Sequence, residues 1–462
     1  MGVAEKRLNV LFLNRRARVF LAVLLVVGGV VWFFVSGSRS KAVPQLRLSE
    51  EGEIGQKGPI VLEFSGVVNT LSVESAWHME PATPGRFEWR GRELWFWPVA
   101  GFEPGRTYTL ELRAGWSYAD GTRVDKTLHF TFWVREPLLL YLGNPNQAPE
   151  VYSVAMEGRT PQRLTDTSGR VVEFAASPDG ESIAFSVRNN QGGIDLGVVK
   201  RNGQKQRLLV ACGKERCYQP AWTPDGRWIT FVRSGADQGG QINYALWSYD
   251  FIGGRATQLV NVADMIPTLP TWSPDGNYLA IYDEVERGIR IIGRENRVNA
   301  FIPTSVSQSP RWSWDSQHLY FVVEQMGDLL PYHAAYQADL VTQTTRPLFS
   351  ATGETWDVST PAEAPDGQWV VFGKRDLNGP VGKQLWMVPT GSLDTGEGAI
   401  PIATEALFTI AAYQWEPAGR GLVYQRYDLT SSDAVPQVVI WWRDRQQNQV
   451  IATDGAFPEW LP

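Results

Sequence analysis

Few residues in this chain combine the types and spacing that chemistry requires. Its four histidines are His78, His129, His318 and His333, and none stands at metal-ligand spacing to another His or Cys. No Gly-x-Ser-x-Gly elbow occurs. The expectation is no catalytic residue, no metal, no cofactor, and a chain that is not an enzyme. Cys212 and Cys217 bracket Gly213-Lys214-Glu215-Arg216, which is not a Cys-x-x-Cys redox pair. In an oxidising exterior they are expected to form a local disulfide worth about 2 kcal/mol. Asp179, Asp225, Asp275, Asp315 and Asp366 recur in similar short turns. Carboxylates spread over equivalent turns predict a structural role there, not a Ca²⁺ site or an acid/base pair. Glu363 is different. It stands where equivalent segments carry Trp222, Trp272, Trp312, Trp415 and Trp460. A carboxylate in such a position is costly unless it is paired or wet. With Arg311, Gln414 and Glu459 from neighbouring segments it makes a candidate polar ligand site. One feature counts against this grouping: those three residues precede the Trp position by one, so strand alternation turns them to the opposite face.

These residues sit in a repeat, and the repeat decides the fold. One unit reads Ala176-Ser177-Pro178-Asp179-Gly180 followed by Ile183-Ala184-Phe185. Others read Trp222-Thr223-Pro224-Asp225-Gly226, Trp272-Ser273-Pro274-Asp275-Gly276, Trp312-Ser313-Trp314-Asp315-Ser316, Glu363-Ala364-Pro365-Asp366-Gly367 and Trp415-Glu416-Pro417-Ala418-Gly419, each followed by an apolar strand. The turns at 179, 225, 275, 315, 366 and 418 lie 46, 50, 40, 51 and 52 residues apart. That is the length of a four-stranded propeller blade, about 40–50 residues. Pro presets φ, Asp bonds locally, and Gly accepts a positive φ, so the motif turns the chain between an inner strand and the next. The Trp is expected to fill the wedge between neighbouring blades. Phe457-Pro458-Glu459-Trp460 begins a unit and stops at Pro462, whereas Leu138–Tyr141, Val151–Val154 and Gln162–Thr165 supply later strands of a unit with no beginning. Joined, they predict a composite blade that closes the ring and removes its free edges. The count is then seven blades, with six as the alternative. Insertions at Met326 to Tyr336, Arg375 to Gln384 and Leu393 to Ala399 lengthen blade loops, where recognition is commonly carried. Gly391 to Gly398 reads as a mobile segment.

This pattern, over 136–462, resembles the TolB-like propeller repeat, related to WD-type repeats. The resemblance implies a β-propeller, an extracytoplasmic setting and a role in binding. The same repeat occurs in the propeller lids of prolyl oligopeptidase-type enzymes, which also need a hydrolase domain, and no residues are left over to build one.

Ahead of the propeller, Ile60–Phe64, Phe87–Trp89, Leu94–Trp97, Tyr108–Leu112 and Leu128–Val134 alternate between turns at Pro84-Gly85, Pro104-Gly105 and Asp120-Gly121. The spacing predicts a β-sandwich over 52–135. The run Pro104-Gly105-Arg106-Thr107-Tyr108 and then Asp120-Gly121 resembles the bacterial Ig-like domain of surface-layer and other envelope proteins, which implies a spacer or interaction module. Trp89, Trp95, Trp97 and Trp133 are expected to pack, with a sugar-stacking platform as the alternative.

The N-terminus supplies the setting. Lys6, Arg7, Arg15, Arg16 and Arg18 precede Val19–Val35, which carries no charge. Extended through Ser38, the run reaches about 20 residues, enough to cross a bilayer. The reading is a basic cytoplasmic tail (1–18), a transmembrane signal anchor (19–38) with the N-terminus inside, and a polar linker (39–51). A cleaved signal peptide is the alternative; its apolar run would be about 7–15 residues. The chain's net charge of −6 leaves about −10 beyond the tail. That excludes a general nucleic-acid binder. The apolar fraction of 43% and charged fraction of 20% fit globular structure. The whole reads as an all-β, single-pass protein of the bacterial cytoplasmic membrane with its bulk outside. Its expected partners are that membrane, through the N-terminal helix, and a protein or envelope polymer docked on the propeller. An envelope glycan hydrolase or lyase working in the propeller channel, and a structural surface-layer component, are the competing readings.

Overall fold

The computed structural model describes residues 43–47, 52–99, 101–156, 160–260, 265–293, 298–327, 330–351, 356–377, 379–431, 433 and 435–462. The expected tail and anchor lie outside these residues. Among the described residues, no helix is long and apolar enough to cross a membrane.

Two four-stranded sheets come first. One runs in the order Gln45–Arg47, Ile60–Glu63, Glu93–Pro98, Gly85–Arg90, and the other Glu53–Ile54, Leu128–Val134, Arg106–Leu112, Trp77–Glu80. Alternation sends Ile60, Leu62, Leu94, Phe96, Leu110, Leu112 and Phe132 into one shared core. Gln45–Arg47, inside the expected linker, pairs with Val61–Glu63 as an edge strand. The α-helix Thr70–Ala76 is capped by the Asn69 side chain, which accepts from the Ser72 N–H. On the outer face Trp95 and Trp97 stack, with Arg90 4.1 Å over one ring and Arg86 5.6 Å over the other. Their indole N–H groups donate to Glu93 and Glu88. The Trp89 indole donates to Glu74. Guanidinium planes therefore cover faces that a sugar platform would need to leave open.

From Leu138 the strands fall into antiparallel sets of four. Their inner strands are Val171–Ala176, Arg216–Trp222, Pro267–Trp272, Arg311–Trp312, the paired pieces Trp356–Val358 and Ala362–Glu363, Phe408–Trp415, and Gly455–Leu461. The last joins the strands expected to be its partners. Gly455–Leu461 pairs antiparallel with Leu138–Gly143, with Glu459 opposite Leu140 and Trp460 opposite Leu139. Strand Leu138–Gly143 pairs in turn with Glu150–Ala155. Residues from the two ends of this long segment thus build one sheet.

The repeated turn works as the sequence suggests. Asp179 accepts from the Ser177 hydroxyl and the Glu181 N–H, and Asp225, Asp275 and Asp315 accept from equivalent groups. Asp366 accepts from the Gln368 N–H, with Ala364 in the hydroxyl position. In the last full turn Ala418 replaces the Asp, and the Glu416 carboxylate takes over, accepting from the Ala418 and Arg420 N–H groups. The turn glycines have φ between 66° and 71°, and Ser316 takes the same conformation at 63°.

The Trp residues staple blades together. Trp222, Trp312 and Trp415 each donate the indole N–H to the carbonyl of the preceding inner strand, at Ala175, Thr271 and Ala362. Trp272 donates to the Thr230 hydroxyl, while the Trp460 Nε1 has no hydrogen-bond partner. The Gly391 to Gly398 segment, expected to be mobile, carries an anchor. A 3₁₀ turn, Thr390–Ser392, leads into a buried Leu393 whose carbonyl accepts from the Phe349 N–H at 2.7 Å. Burying one apolar residue ties the loop to the preceding blade.

Candidate functional site

Inner-strand geometry decides which candidate residues meet. At the Trp position the side chain points back toward the preceding blade. Glu363, which replaces Trp there, accepts from the Trp314 N–H at 2.9 Å and lies beside Tyr320 and Asp315. Burial pushes its carboxyl up to about 7, only partly offset by the Trp314 N–H. One residue earlier, side chains point the other way. Gln414 accepts from the Trp460 N–H at 3.0 Å, and Glu459 from the Ala176 N–H at 3.1 Å, each reaching the following blade. Arg311 and Glu459 lie on inner strands three blades apart, so their attraction runs across the ring axis. Burial lowers the Arg311 guanidinium and raises the Glu459 carboxyl to about 7, and each charge partly opposes the shift of the other. Arg311, Gln414 and Glu459 thus share the inner edge of the ring, where the equivalent residues Ala175, Ala221 and Ala362 are small. Glu363 is turned away from them. The structure divides the proposed quartet along the strand period.

A second group was not legible as a site. Asp357, on inner piece Trp356–Val358, is 8% exposed. It accepts from the His333 backbone N–H at 3.1 Å, and the His333 Nδ1 lies 3.4 Å away. The Lys383 ammonium stands at 3.3 Å and the Arg375 guanidinium at 3.4 Å. Burial lowers both the His333 imidazole and the Lys383 ammonium; neighbouring Lys383 adds to the first shift, while Asp357 opposes both. His333 Nδ1 and Arg375 Nε are buried without a hydrogen-bond partner. His333, Arg375 and Lys383 come from the two insertions Met326 to Tyr336 and Arg375 to Gln384. Loop length was the available signal, whereas Asp357 carried none. Two cations and a neutral imidazole around one carboxylate can hold an anion or move a proton.

Cys212 and Cys217 are joined as a disulfide, and the Cys212 N–H donates to Asp195 at 2.7 Å. No group of three or more His, Cys, Asp or Glu able to hold a metal occurs among the described residues.

The sandwich meets the propeller at the opposite end of the inner strands. Buried Arg135 donates to the Asp179 carbonyl at 2.7 Å and pairs with Glu181. A Cβ on Gly55 would lie 2.3 Å from that same carbonyl. Arg420 bridges Glu416 at 2.9 Å and Glu136 at 3.0 Å. The sandwich is therefore held on the face that carries the repeated turns.

No family model matches the chain. Over 161 residues it is 28% identical to a Bacillus subtilis (strain 168) protein named uncharacterized peptidase YuxL, a match covering 35% of this chain and 22% of that protein's length. An oligogalacturonate lyase from Vibrio parahaemolyticus superposes with a TM-score of 0.50 at 13% identity, covering 66% of this chain and 85% of the other. TolB from Acinetobacter baumannii gives a TM-score of 0.43 at 11% identity, covering 84% and 83%. The structural neighbours are TolB-like β-propeller proteins, and that likeness concerns the fold. The match to a protein named a peptidase corrects the expectation that the chain is not an enzyme. That expectation rested on linear motifs, whereas side chains such as those around Asp357 converge from separate segments.

Proposed function

We propose that this chain is a membrane-anchored binding scaffold outside the cytoplasm, whose seven-bladed propeller docks a protein or an envelope polymer through the face bearing the insertions Met326 to Tyr336 and Arg375 to Gln384. The observation that carries it is the placement of the sandwich. Arg135, Gly55 and Glu136 hold the sandwich on the turn face, which leaves the insertion face, with the Asp357 group, for a partner. The strand sets support seven blades over six, because Gly455–Leu461 supplies the inner strand of its own set. The Ig-like reading of the sandwich makes it a spacer. The charge pattern of residues 1–38 supports an anchor with the N-terminus inside. Confinement near the membrane raises the effective concentration of any partner held there.

A second reading is favoured by the peptidase-named relative. On it the chain takes part in hydrolysis of a peptide or envelope glycan, with the His333–Asp357 pair as proton carrier. Photocrosslinking from positions 326 to 336 and 375 to 384 in intact membranes, followed by mass spectrometry, separates the two. The scaffold reading expects one specific protein or polymer adduct that survives His333→Ala. Turnover of an envelope peptide or glycan that His333→Ala abolishes, with no specific adduct, overturns it in favour of the second.

A further inference from the structure

A pocket of about 310 Å³ opens where the ring closes, at the ends of the inner strands away from the sandwich. Strand Val171–Ala176 begins at this pocket and runs to the turn at Asp179 that Arg135 holds. The pocket is built from both ends of the propeller: Leu142 and Asn146 near its start, Val171 and Arg188 from the next blade, and Tyr427 and Phe457 from its last strands.

Its walls are held in place. The connection after Gly143 is pinned by Asn144 N–H to the Asp454 carbonyl at 3.1 Å and by Ala148 N–H to the Asn144 carbonyl at 3.2 Å. Pro145, Pro149 and Pro436 stiffen the rim. Phe457 sits at φ 52° and is 57% exposed, and its N–H donates to Gln425 Oε1 at 2.8 Å. Gln425 is itself buried, and its Nε2 donates to the Tyr427 hydroxyl oxygen at 2.7 Å. The hydroxyl oxygen is thereby occupied as an acceptor, and its proton remains to be donated. Arg188 also lines the pocket; its backbone N–H is bound to the Arg170 carbonyl, while its guanidinium makes no hydrogen bond or ion pair among the described residues. Leu142 and Val171 supply an apolar floor.

We propose that this pocket binds a monocarboxylate with a compact apolar body. One planar guanidinium and one hydroxyl donor match the two oxygens of a carboxylate. The volume and floor suit a single apolar side chain or ring. The same chemistry is presented by a free carboxylic acid and by the C-terminus of a chain ending in an apolar residue. Because the walls come from both ends of the ring, occupancy also favours the closed ring.

The test uses the full chain in nanodiscs. Isothermal titration is run with N-acetyl-Ala-Phe, with its C-terminal amide, and with 3-phenylpropanoate. The acid peptide is expected to bind and to raise the melting temperature, with the amide weaker by roughly tenfold or more, the loss expected for a charge-assisted bond. Arg188→Ala should cause a similar loss with unchanged melting of the free protein, and Tyr427→Phe a smaller one. Binding of the peptide without 3-phenylpropanoate supports a chain terminus as the source, and binding of both supports a free acid. Failure of both acids to bind, equal binding of the amide, or an unaffected Arg188→Ala overturns the proposal.

Discussion

At the scale of the residue, the repeat tolerates exchange of a side chain when its hydrogen bonds are reassigned. Glu416 shows this well. The carboxylate has moved two residues along the chain, yet it reaches the same N–H group that an Asp would reach from position 418. Glu363 shows the opposite case, a Trp site filled by a carboxyl that burial holds up at about 7. Its ordinary value is 4.5, so the folded chain binds a proton more readily than the unfolded one. Its stabilising share is complete below pH 4.5 and is lost as the pH rises through 7. Glu363→Gln should therefore flatten part of the decline in stability across that window, and Glu459→Gln should add to the effect, since Glu459 is raised to a similar value. Urea melts at the two ends of the window check this; an unchanged decline in the double variant removes the cause assigned here. That Glu363 was exceptional was plain from the sequence, because five equivalent positions carry Trp. Its partner was not, since the direction of a side chain depends on which blade packs against it.

At the scale of the element, the repeated turn is a packing device as well as a reversal. The Pro of one turn lies on the Gly of the next: Pro178 Cγ is 3.7 Å from where a Gly226 Cβ would be, and Pro224 Cδ is 3.5 Å from that of Gly276. Pro462 takes the same place over Gly180, whose Cβ would fall 1.6 Å from the Pro462 carbonyl oxygen. Both glycines have positive φ. Gly226→Ala should then cost only the left-handed strain, about 1–2 kcal/mol. Gly180→Ala must also displace the terminal residue, and should cost clearly more. Parallel denaturant curves compare the two, and equal losses would show that Pro462 is not held in the ring. The local turn was readable from Pro-Asp-Gly, but the contact between successive turns was not, because those residues are some 40–50 positions apart.

At the scale of the whole molecule, closure joins the two ends of a long stretch of chain. The hydrogen-bonded register of Gly455–Leu461 against Leu138–Gly143 predicts that deleting Pro458 to Pro462 lowers the melting of the entire propeller, as one cooperative transition, and does not merely fray a terminus. Calorimetry of full-length and truncated chains measures it; an unchanged transition would refute closure by this strand. The closing blade could be anticipated from two incomplete units that complement each other. The pocket at its edge could not, since Arg188 and Tyr427 are ordinary residues until the ring brings them to one opening.

By itself the sequence determined what is local and repeated: strand period, turn chemistry, the wedge Trp, and the pairing of the incomplete first and last units. Those features follow from backbone preference and burial over a few neighbouring residues. Only the tertiary structure decided which polar groups meet. It set Glu363 against the preceding blade and Glu459 against the following one, and drew His333, Arg375 and Lys383 around Asp357. Such meetings depend on how blades stand beside each other, and no spacing along a single strand encodes that.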